Sequence, residues 1–284
     1  MEGCSRVVVG YDGTPESESA VRWAAREAKA RRVPLTVCHA WRWPYPAGFV
    51  DEEGRAIVRR MGRHVLSRGA RIAEEHAPGV PVRELLLDGP AATALLRESD
   101  DAMIVIGSRE ERELPVGSLV LQLPARSRGP VVVVRNEGAG EGRVVAGVDG
   151  SDGSDAVLGF AFQEAALREW QVHVVYGCWA PSGAPYGDIA AFADKAGLER
   201  ACEARLRRAV DPWTGRYPRV SVRTSVVMDE PRRSLLEAAR RADLLVVGDR
   251  GVRGLRLQAL GTTTVSMLQL APCTVAVVHV ARPR

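Results

Sequence analysis

The sequence predicts an α/β protein built from two similar units, each with a parallel sheet covered by helices on both faces. Short runs of β-branched residues, such as Val131–Val134, alternate with amphipathic helical stretches, such as Pro15–Arg31. This alternation is typical of βαβ units. The second half of the chain also repeats the first, because the segment Arg6–Thr14 returns as Arg143–Ser151 with the same order of residue types.

The repeat continues through each unit, so the elements are predicted in the same order twice. That order is a strand, a helix, a second strand, a long irregular loop, and then helix, strand, helix, strand, helix and strand. The matched segments are Trp23-Ala24 with Phe160-Ala161 and Glu27-Ala28 with Glu164-Ala165 in the first helix, Leu35–Trp41 with Val172–Trp179 in the second strand, Ile104–Arg109 with Leu245–Arg250, and Val131–Val134 with Val275–Val278.

A polar, glycine-rich stretch at Arg135–Gly142 separates the two copies and is typical of a linker. We therefore expect one domain at residues 1–137 and a second at 142–284. Each is long enough to bury a core of its own.

Composition excludes several classes of protein. The net charge of +4 is spread over many arginines, and segments such as Arg205–Arg208 are interpreted as solvated helix faces, so no nucleic-acid partner is expected. The five cysteines form no CxxC and indicate reduced thiols in a cytoplasmic protein. No apolar run approaches the roughly 20 residues that span a bilayer, so no membrane partner is expected.

A glycine-rich turn follows the apolar run Ala242–Val247, which is predicted to be a buried strand. It reads Gly248-Asp249-Arg250-Gly251, then nine residues, then Gly261-Thr262. Glycine lets backbone approach a ligand closely, and amide groups at a helix start attract anions. The segment therefore predicts a phosphate-binding loop at the carboxyl edge of the second sheet.

The strand-one motif Val-Gly-x-Asp-Gly-Ser/Thr and the pattern G-x2-G-x9-G-(S/T) together resemble the universal stress protein family. Two copies in one chain resemble its tandem, UspA-like form. The resemblance implies two Rossmann-like domains of the adenine nucleotide alpha hydrolase-like type, each with a five-stranded parallel sheet between helices. It also implies a stress-response role and ATP as the ligand, alone or with Mg²⁺.

The same resemblance places nucleotide contacts in the second copy. Asp149 and its turn are expected near adenine and ribose, the backbone after strand two near adenine, and the glycine loop on the phosphates. The expected binding residues are Gly147, Val148, Asp149, Gly177, Val247, Gly248, Arg250, Gly251, Gly261, Thr262, Thr263 and Thr264.

Several of these residues also have a simpler interpretation. Asp149 is suited to accept from ribose hydroxyls, or alternatively to form the turn or cap the following helix. Arg250, like Arg253, either contacts phosphate or is exposed to solvent. Before the third helix, Asp229-Glu230-Pro231 stands against Asp88-Gly89-Pro90 of the first copy, so a glutamate is expected to narrow the adenine side of the second site.

The first copy departs from the motif. Glu110 replaces the glycine that Gly251 supplies, and the loop that follows, Glu111–Val116, is three residues shorter and contains Pro115. Carboxylates near a phosphate chain repel it, and proline removes a backbone donor. We therefore predict one good ATP site per chain, in the second domain.

The sequence lacks the groups that efficient phosphoryl transfer requires. It has no GxxxxGK[ST] loop, no lysine near either glycine loop and no metal-ligand spacing among its five histidines, so no catalytic or metal-binding residue is assigned. We expect ATP to act as a bound signal that an unidentified protein partner reads. The alternatives are a weak or self-phosphorylating ATPase and a nucleotide-free scaffold. By resemblance, the two domains are expected to form an internal pseudo-dimer, and a homodimer is left open.

Overall fold

A computed structural model describes residues 4–46, 51–108, 118–135, 140–151, 153–178, 195–251 and 260–279. The chain divides into two compact units, Glu2–Glu137 and Gly138–Arg284, which we call the first and second domains. Every strand pair within each domain is parallel, and helices connect the strands. The predicted α/β fold class is therefore confirmed.

The first domain has a sheet in the order β3-β2-β1-β4-β5. Its elements are β1 (Arg6–Gly10), α1 (Pro15–Arg31), β2 (Leu35–Trp41), α2 (Glu52–His76), β3 (Val82–Asp88), α3 (Ala91–Leu96), β4 (Ala102–Gly107), α4 (Leu119–Arg126) and β5 (Val131–Val134).

The second domain repeats this order as β8-β7-β6-β9-β10. Its elements are β6 (Arg143–Val148), α5 (Gly153–Arg168), β7 (Gln171–Gly177), α6 (Lys195–Arg216), β8 (Val222–Val227), α7 (Pro231–Ala239), β9 (Leu244–Gly248), α8 (Thr262–Leu270) and β10 (Thr274–Val278).

The strand order determines where a ligand can bind at the edge of each sheet. β6 pairs with β7 on one side and with β9 on the other, so the connections after β6 and β9 leave the sheet at adjacent points. β1 has the same position between β2 and β4. The carboxyl ends of these strands form the switch point at which open parallel sheets bind ligands.

A buried ion pair in the first helix of each domain explains one of the sequence matches. Glu27 and Glu164 are completely buried, and each pairs with the arginine one turn later, Arg31 or Arg168. A buried carboxylate is stable only when it is paired and hydrogen-bonded. Both members of the pair are therefore repeated in the two copies.

The helices in the described ranges include none that is both long and apolar enough to cross a membrane.

Candidate functional site

The second domain contains a cavity of about 740 Å³ at the carboxyl ends of β6, β7 and β9. A volume of this order is typical of small-molecule sites. The structure brings all twelve residues predicted to contact nucleotide to the wall of this one cavity, namely Gly147, Val148, Asp149, Gly177, Val247, Gly248, Arg250, Gly251, Gly261, Thr262, Thr263 and Thr264.

Asp149 has a structural role and also faces the cavity. Its Oδ1 accepts hydrogen bonds from the Ser151 backbone N–H at 3.0 Å and the Ser151 hydroxyl at 2.6 Å, which form the turn after β6. Its Oδ2 lies against Gly251, where an added Cβ would overlap it. The turn-forming interpretation is therefore confirmed, while the second carboxylate oxygen remains directed at the glycine loop.

The start of α8 provides the anion-attracting end of the cavity. The residue that precedes this helix is Gly261, which has no side chain to accept from the N–H groups of the first turn. The Thr264 hydroxyl donates to the Gly248 carbonyl at 2.6 Å and joins the helix start to the end of β9. Backbone N–H groups and the helix dipole at such a terminus favour a negatively charged ligand.

Arg250 fits both interpretations that the sequence left open, exposure to solvent and contact with a ligand. Its side chain is partly exposed and lines the cavity, and its Nε lies 4.0 Å from the Asp249 carboxylate. This position lets the guanidinium reach an anion in the cavity without leaving its neighbour. Arg253 lies outside the described residues.

The wall formed by α7 corrects one detail of the sequence comparison. Glu230 lines the cavity and is exposed, yet it corresponds to Pro90 and not to Gly89, because each of these residues directly precedes the third helix of its domain. The sequence comparison aligned the two prolines. Proline is favoured at the first helical position, which Pro231 occupies in α7, and its fixed φ of about −65° also suits the residue before α3, where Pro90 has a φ of −61°.

The end of β7 lies against the start of α7. A Cβ on Gly177 would lie 2.6 Å from the Cα of Pro231, so only glycine permits this approach. The contact closes the cavity on the side where the family resemblance implies adenine.

Arg205 is a cavity residue that the sequence analysis missed. It was interpreted as part of a solvated helix face, and it is indeed exposed, but its guanidinium also donates to the Tyr176 hydroxyl at 3.3 Å and lines the cavity. This hydrogen bond raises the pKa of Arg205. The buried residues Cys202 and Leu206 recur at helical spacing and mark the inner face of α6, so Arg205 stands at the edge of that face.

Cys178 also lines the cavity and was not predicted from the sequence. The further lining residues that the sequence analysis did not assign are Gly153, Ser154, Val157, Pro231, Arg232 and Leu235.

The corresponding cavity of the first domain measures only about 120 Å³. Tyr11 stands where the second domain has Val148, and its buried ring packs against Gly69 of α2 so closely that a Cβ there would overlap it. His39 stands where the second domain has Tyr176, and its Nδ1 lies 2.8 Å from the Tyr11 carbonyl oxygen. The larger aromatic side chain and the close helix fill part of the space that is open in the second domain.

The first domain also has a different helix start. Leu123 of α4 and Met267 of α8 are both fully buried and occupy equivalent positions in the two helices. With the helices aligned on this pair, Leu119 and Val120 correspond to Thr263 and Thr264 of the second domain. Two hydroxyl side chains are thereby replaced by apolar ones. The acidic loop Glu110–Val116, on which the sequence-based prediction rested, lies outside the described residues.

Asp12 keeps the turn function in the first domain. Its Oδ1 accepts from the Thr14 backbone N–H at 3.1 Å and from the Thr14 hydroxyl at 2.6 Å. Burial opposes ionisation of this carboxyl, but the hydrogen bonds from Thr14 and Ser17 outweigh burial and lower its pKa. The turn is therefore common to both domains, whereas the larger of the two cavities belongs to the second.

Among the described residues, no three His, Cys, Asp or Glu side chains are grouped in a way that could hold a metal ion.

Comparison with known proteins gives the family. The model of the universal stress protein family matches the chain twice, at residues 4–135 and 142–279. The chain belongs to the universal stress protein family. Its two domains are two copies of the family unit, in agreement with the resemblance of the sequence motifs.

Similar universal stress proteins have the same tandem length. The universal stress protein Rv2623 of Mycobacterium tuberculosis is 30% identical over 293 residues, which cover 95% of each chain. A universal stress protein of Mycolicibacterium smegmatis is 31% identical over 298 residues, covering 98% of this chain and 97% of the relative.

Solved universal stress protein structures share the fold. A structure from Archaeoglobus fulgidus has a TM-score of 0.72 at 15% identity and covers 98% of this chain and 97% of that one. A structure of a protein from Pseudomonas aeruginosa has a TM-score of 0.57 at 16% identity, with coverage of 96% and 92%.

Proposed function

We propose that this universal stress protein binds ATP in the cavity of its second domain and uses the bound nucleotide as a signal. The observation that carries the proposal is the convergence of all twelve predicted residues on one cavity of about 740 Å³. These residues come from four separate segments of the chain. The fold itself brings these segments to one edge of the sheet, and the open space between them, with the start of α8 in its wall, is what favours a ligand.

The chemistry of the cavity suits a nucleoside triphosphate. Asp149 offers carboxylate oxygen to ribose hydroxyls, while the uncapped start of α8 and the Arg250 guanidinium offer donors and positive charge to phosphates. Tyr176 and Gly177 line the cavity at the end of β7, where a base would lie. Mg²⁺ would arrive with the phosphates, since nucleotide-bound Mg²⁺ keeps much of its coordination on phosphate and water.

We propose weak or no ATP binding in the first domain. Its cavity of about 120 Å³ is below the usual size of small-molecule sites, and Leu119 and Val120 replace two threonines at the helix start. These observations add to the acidic loop as reasons for one site per chain. We further propose that an unidentified protein partner in the cytoplasm recognises the ATP-bound second domain.

Catalysis is the weaker candidate. Thr264 is buried and its hydroxyl donates to the Gly248 carbonyl, so it is poorly placed to accept a phosphoryl group. Thr262 is exposed and is the better acceptor. Incubation with γ-labelled ATP tests this alternative. If the protein retains the nucleotide, releases no ADP and carries no labelled threonine, the signalling role is supported.

The decisive experiment adds a charge at Gly261. A Cβ at this glycine meets no atom closer than 3.6 Å, and its φ of −67° suits any residue, so Gly261→Asp should fold. Aspartate there would cap α8 yet repel phosphate. We expect isothermal titration to give one ATP per chain for the wild type and an affinity lower by about tenfold or more for the variant.

Gly261→Asn is the matched control, because it offers the same cap and shape without the charge. It should retain more affinity than Gly261→Asp, while both variants keep a wild-type or higher melting temperature. Equal ATP affinity in all three proteins would refute the site.

A further inference from the structure

Two free thiols lie side by side at the edge of the nucleotide cavity. Cys178 follows β7 directly, is half-buried and lines the cavity, whereas Cys202 is buried on the inner face of α6. The Cys202 thiol donates to Cys178 Sγ, and the two sulfur atoms are 3.1 Å apart. A disulfide bond is about 2.05 Å long, so the sulfurs need to approach by only about 1 Å to become bonded.

We propose that Cys178 and Cys202 form a redox-sensitive pair, whose oxidation by a hydroperoxide to a disulfide lowers the affinity of the second-domain cavity for nucleotide. Formation of the disulfide depends on the two cysteines and not on nucleotide binding. Its effect on affinity rests on the ATP-binding function proposed above.

The reaction needs two thiols and one hydroperoxide. Cys178, the thiol that faces the cavity, attacks the peroxide O–O bond, becomes a sulfenic acid and releases an alcohol, or water when the oxidant is hydrogen peroxide. Cys202 then attacks the sulfenic sulfur, the S–S bond forms and water leaves. The two electrons that reduce the O–O bond come from the two thiols, and a dithiol reductant reverses the change.

The surroundings set the rate of this reaction. Burial raises the pKa of the Cys178 thiol to about 11, the Cys202 thiol adds to the rise and Arg205 opposes it. Among the described residues, Glu230 and Arg232 at the start of α7 are further charged groups that line this cavity. Because the thiolate is the nucleophile, oxidation is expected to be slow at neutral pH and to accelerate as the pH rises.

Arg205 connects the thiol pair to the cavity. It lies one helical turn beyond Cys202, its guanidinium donates to the Tyr176 hydroxyl, and its Cδ would lie 2.7 Å from a Cβ on Gly150. The arginine therefore already fills the space between α6 and the turn after β6. A disulfide that draws α6 toward Cys178 also shifts Arg205, which already lines the cavity, and so disfavours an occupied cavity.

The effect is reciprocal by thermodynamic linkage. If the disulfide weakens ATP binding, bound ATP must equally disfavour the disulfide. Nucleotide occupancy and oxidation therefore act as opposing signals on one site.

The test oxidises the full chain with hydrogen peroxide at about pH 8.5, where thiolate is more abundant. Intact mass should fall by about 2 Da, and peptide mapping should join Cys178 to Cys202. Isothermal titration should then show ATP affinity lower by about tenfold, within the usual range of couplings, and restored by dithiothreitol.

Two variants complete the experiment. Cys202→Ser should bind ATP like the wild type and lose both the mass change and the peroxide effect on affinity. Cys4→Ser leaves the pair intact and should behave as the wild type throughout.

Each outcome has a separate meaning. Absence of a Cys178–Cys202 peptide after oxidation overturns the redox pair. A disulfide that leaves ATP affinity unchanged overturns the coupling. Failure of the reduced protein to bind ATP refutes the proposed function instead, while the mass measurement still decides whether the disulfide forms.

Discussion

Asp149 and Gly251 lie against each other in the wall of the second-domain cavity, so closely that any Cβ at Gly251 would overlap the Asp149 Oδ2. The two residues belong to different motifs, one after β6 and one after β9. The contact explains why glycine is required in the second motif, beyond a general need for turn flexibility. Because the sequence of the first copy has Glu110 at the matching position, we expect the same arrangement to be excluded there.

Gly251→Ala should therefore weaken ATP binding. The methyl group would displace the Asp149 carboxylate or the loop, and we expect affinity to fall by about tenfold, corresponding to about 1.4 kcal/mol. Isothermal titration measures the change. Gly215→Ala is the matched control, because a Cβ at that position in α6 meets nothing within 4 Å. It should leave affinity unchanged and slightly raise the melting temperature, since glycine weakens a helix. Equal affinities in the two variants would contradict the prediction.

Asp149→Asn separates the charge of the carboxylate from its turn function. The asparagine oxygen can still accept from Ser151, so the melting temperature should change little, whereas a weaker acceptor for ribose hydroxyls should lower ATP affinity by about fivefold to tenfold. Asp12→Asn makes the same change in the first domain. It should leave the titration of the full chain unaltered, and a comparable loss of affinity there would place ATP in the first domain.

The buried pair of Glu164 and Arg168 should matter far more for stability than an exposed pair of the same type. The Glu164 side chain is completely buried and lies 2.6 Å from the arginine. Glu164→Ala leaves the arginine without this partner, so we expect the free energy of unfolding to fall by about 3 kcal/mol. Glu237→Ala removes an exposed pair with Arg240 at 3.2 Å and should cost at most about 0.5 kcal/mol. Urea denaturation measures both values.

His173 should make the protein less stable in mild acid. Burial, reinforced by Arg223 and Arg143, lowers the pKa of His173 to about 4, and its Nε2 lies 2.9 Å from the Ser225 hydroxyl. The unfolded chain takes up a proton near the ordinary pKa of about 6.5, while the folded chain does not until about pH 4. Stability contributed by neutral His173 is therefore complete above pH 6.5 and is lost as the pH falls toward 4.

The measurement is the free energy of unfolding at several pH values. His173→Gln should show a shallower loss of stability between pH 6.5 and 4 than the wild type. His76→Gln, at an exposed position, is the control and should keep the wild-type slope. A wild-type slope in His173→Gln would show that other groups cause the acid sensitivity.

Much of the fold and of the site was open to prediction from the sequence, for a physical reason. The repeat fixed the order of elements, and parallel strands joined by helices bring all their carboxyl ends to one edge of the sheet. Motifs after β6, β7 and β9 therefore had to meet, and the twelve predicted residues do line one cavity. The predicted correspondence of Glu230 with Gly89 was wrong, because proline is accepted both before a helix and at its first position, and aligning the two prolines shifted the comparison by one residue.

The sequence by itself determined the tandem α/β architecture and the place of the glycine loop, because both follow from local patterns repeated along the chain. Only the tertiary structure decided which side chains α6 contributes to the candidate site of the second domain. Trp213 stacks on Phe162 of α5 and donates to Asp155 at 3.0 Å, and this docking sets the rotation of α6. That rotation brings Arg205 to the cavity and Cys202 to Cys178, although both are remote in sequence from the residues they contact. Side-chain packing between distant segments, which no local pattern encodes, placed the arginine in the cavity wall and brought the two thiols together.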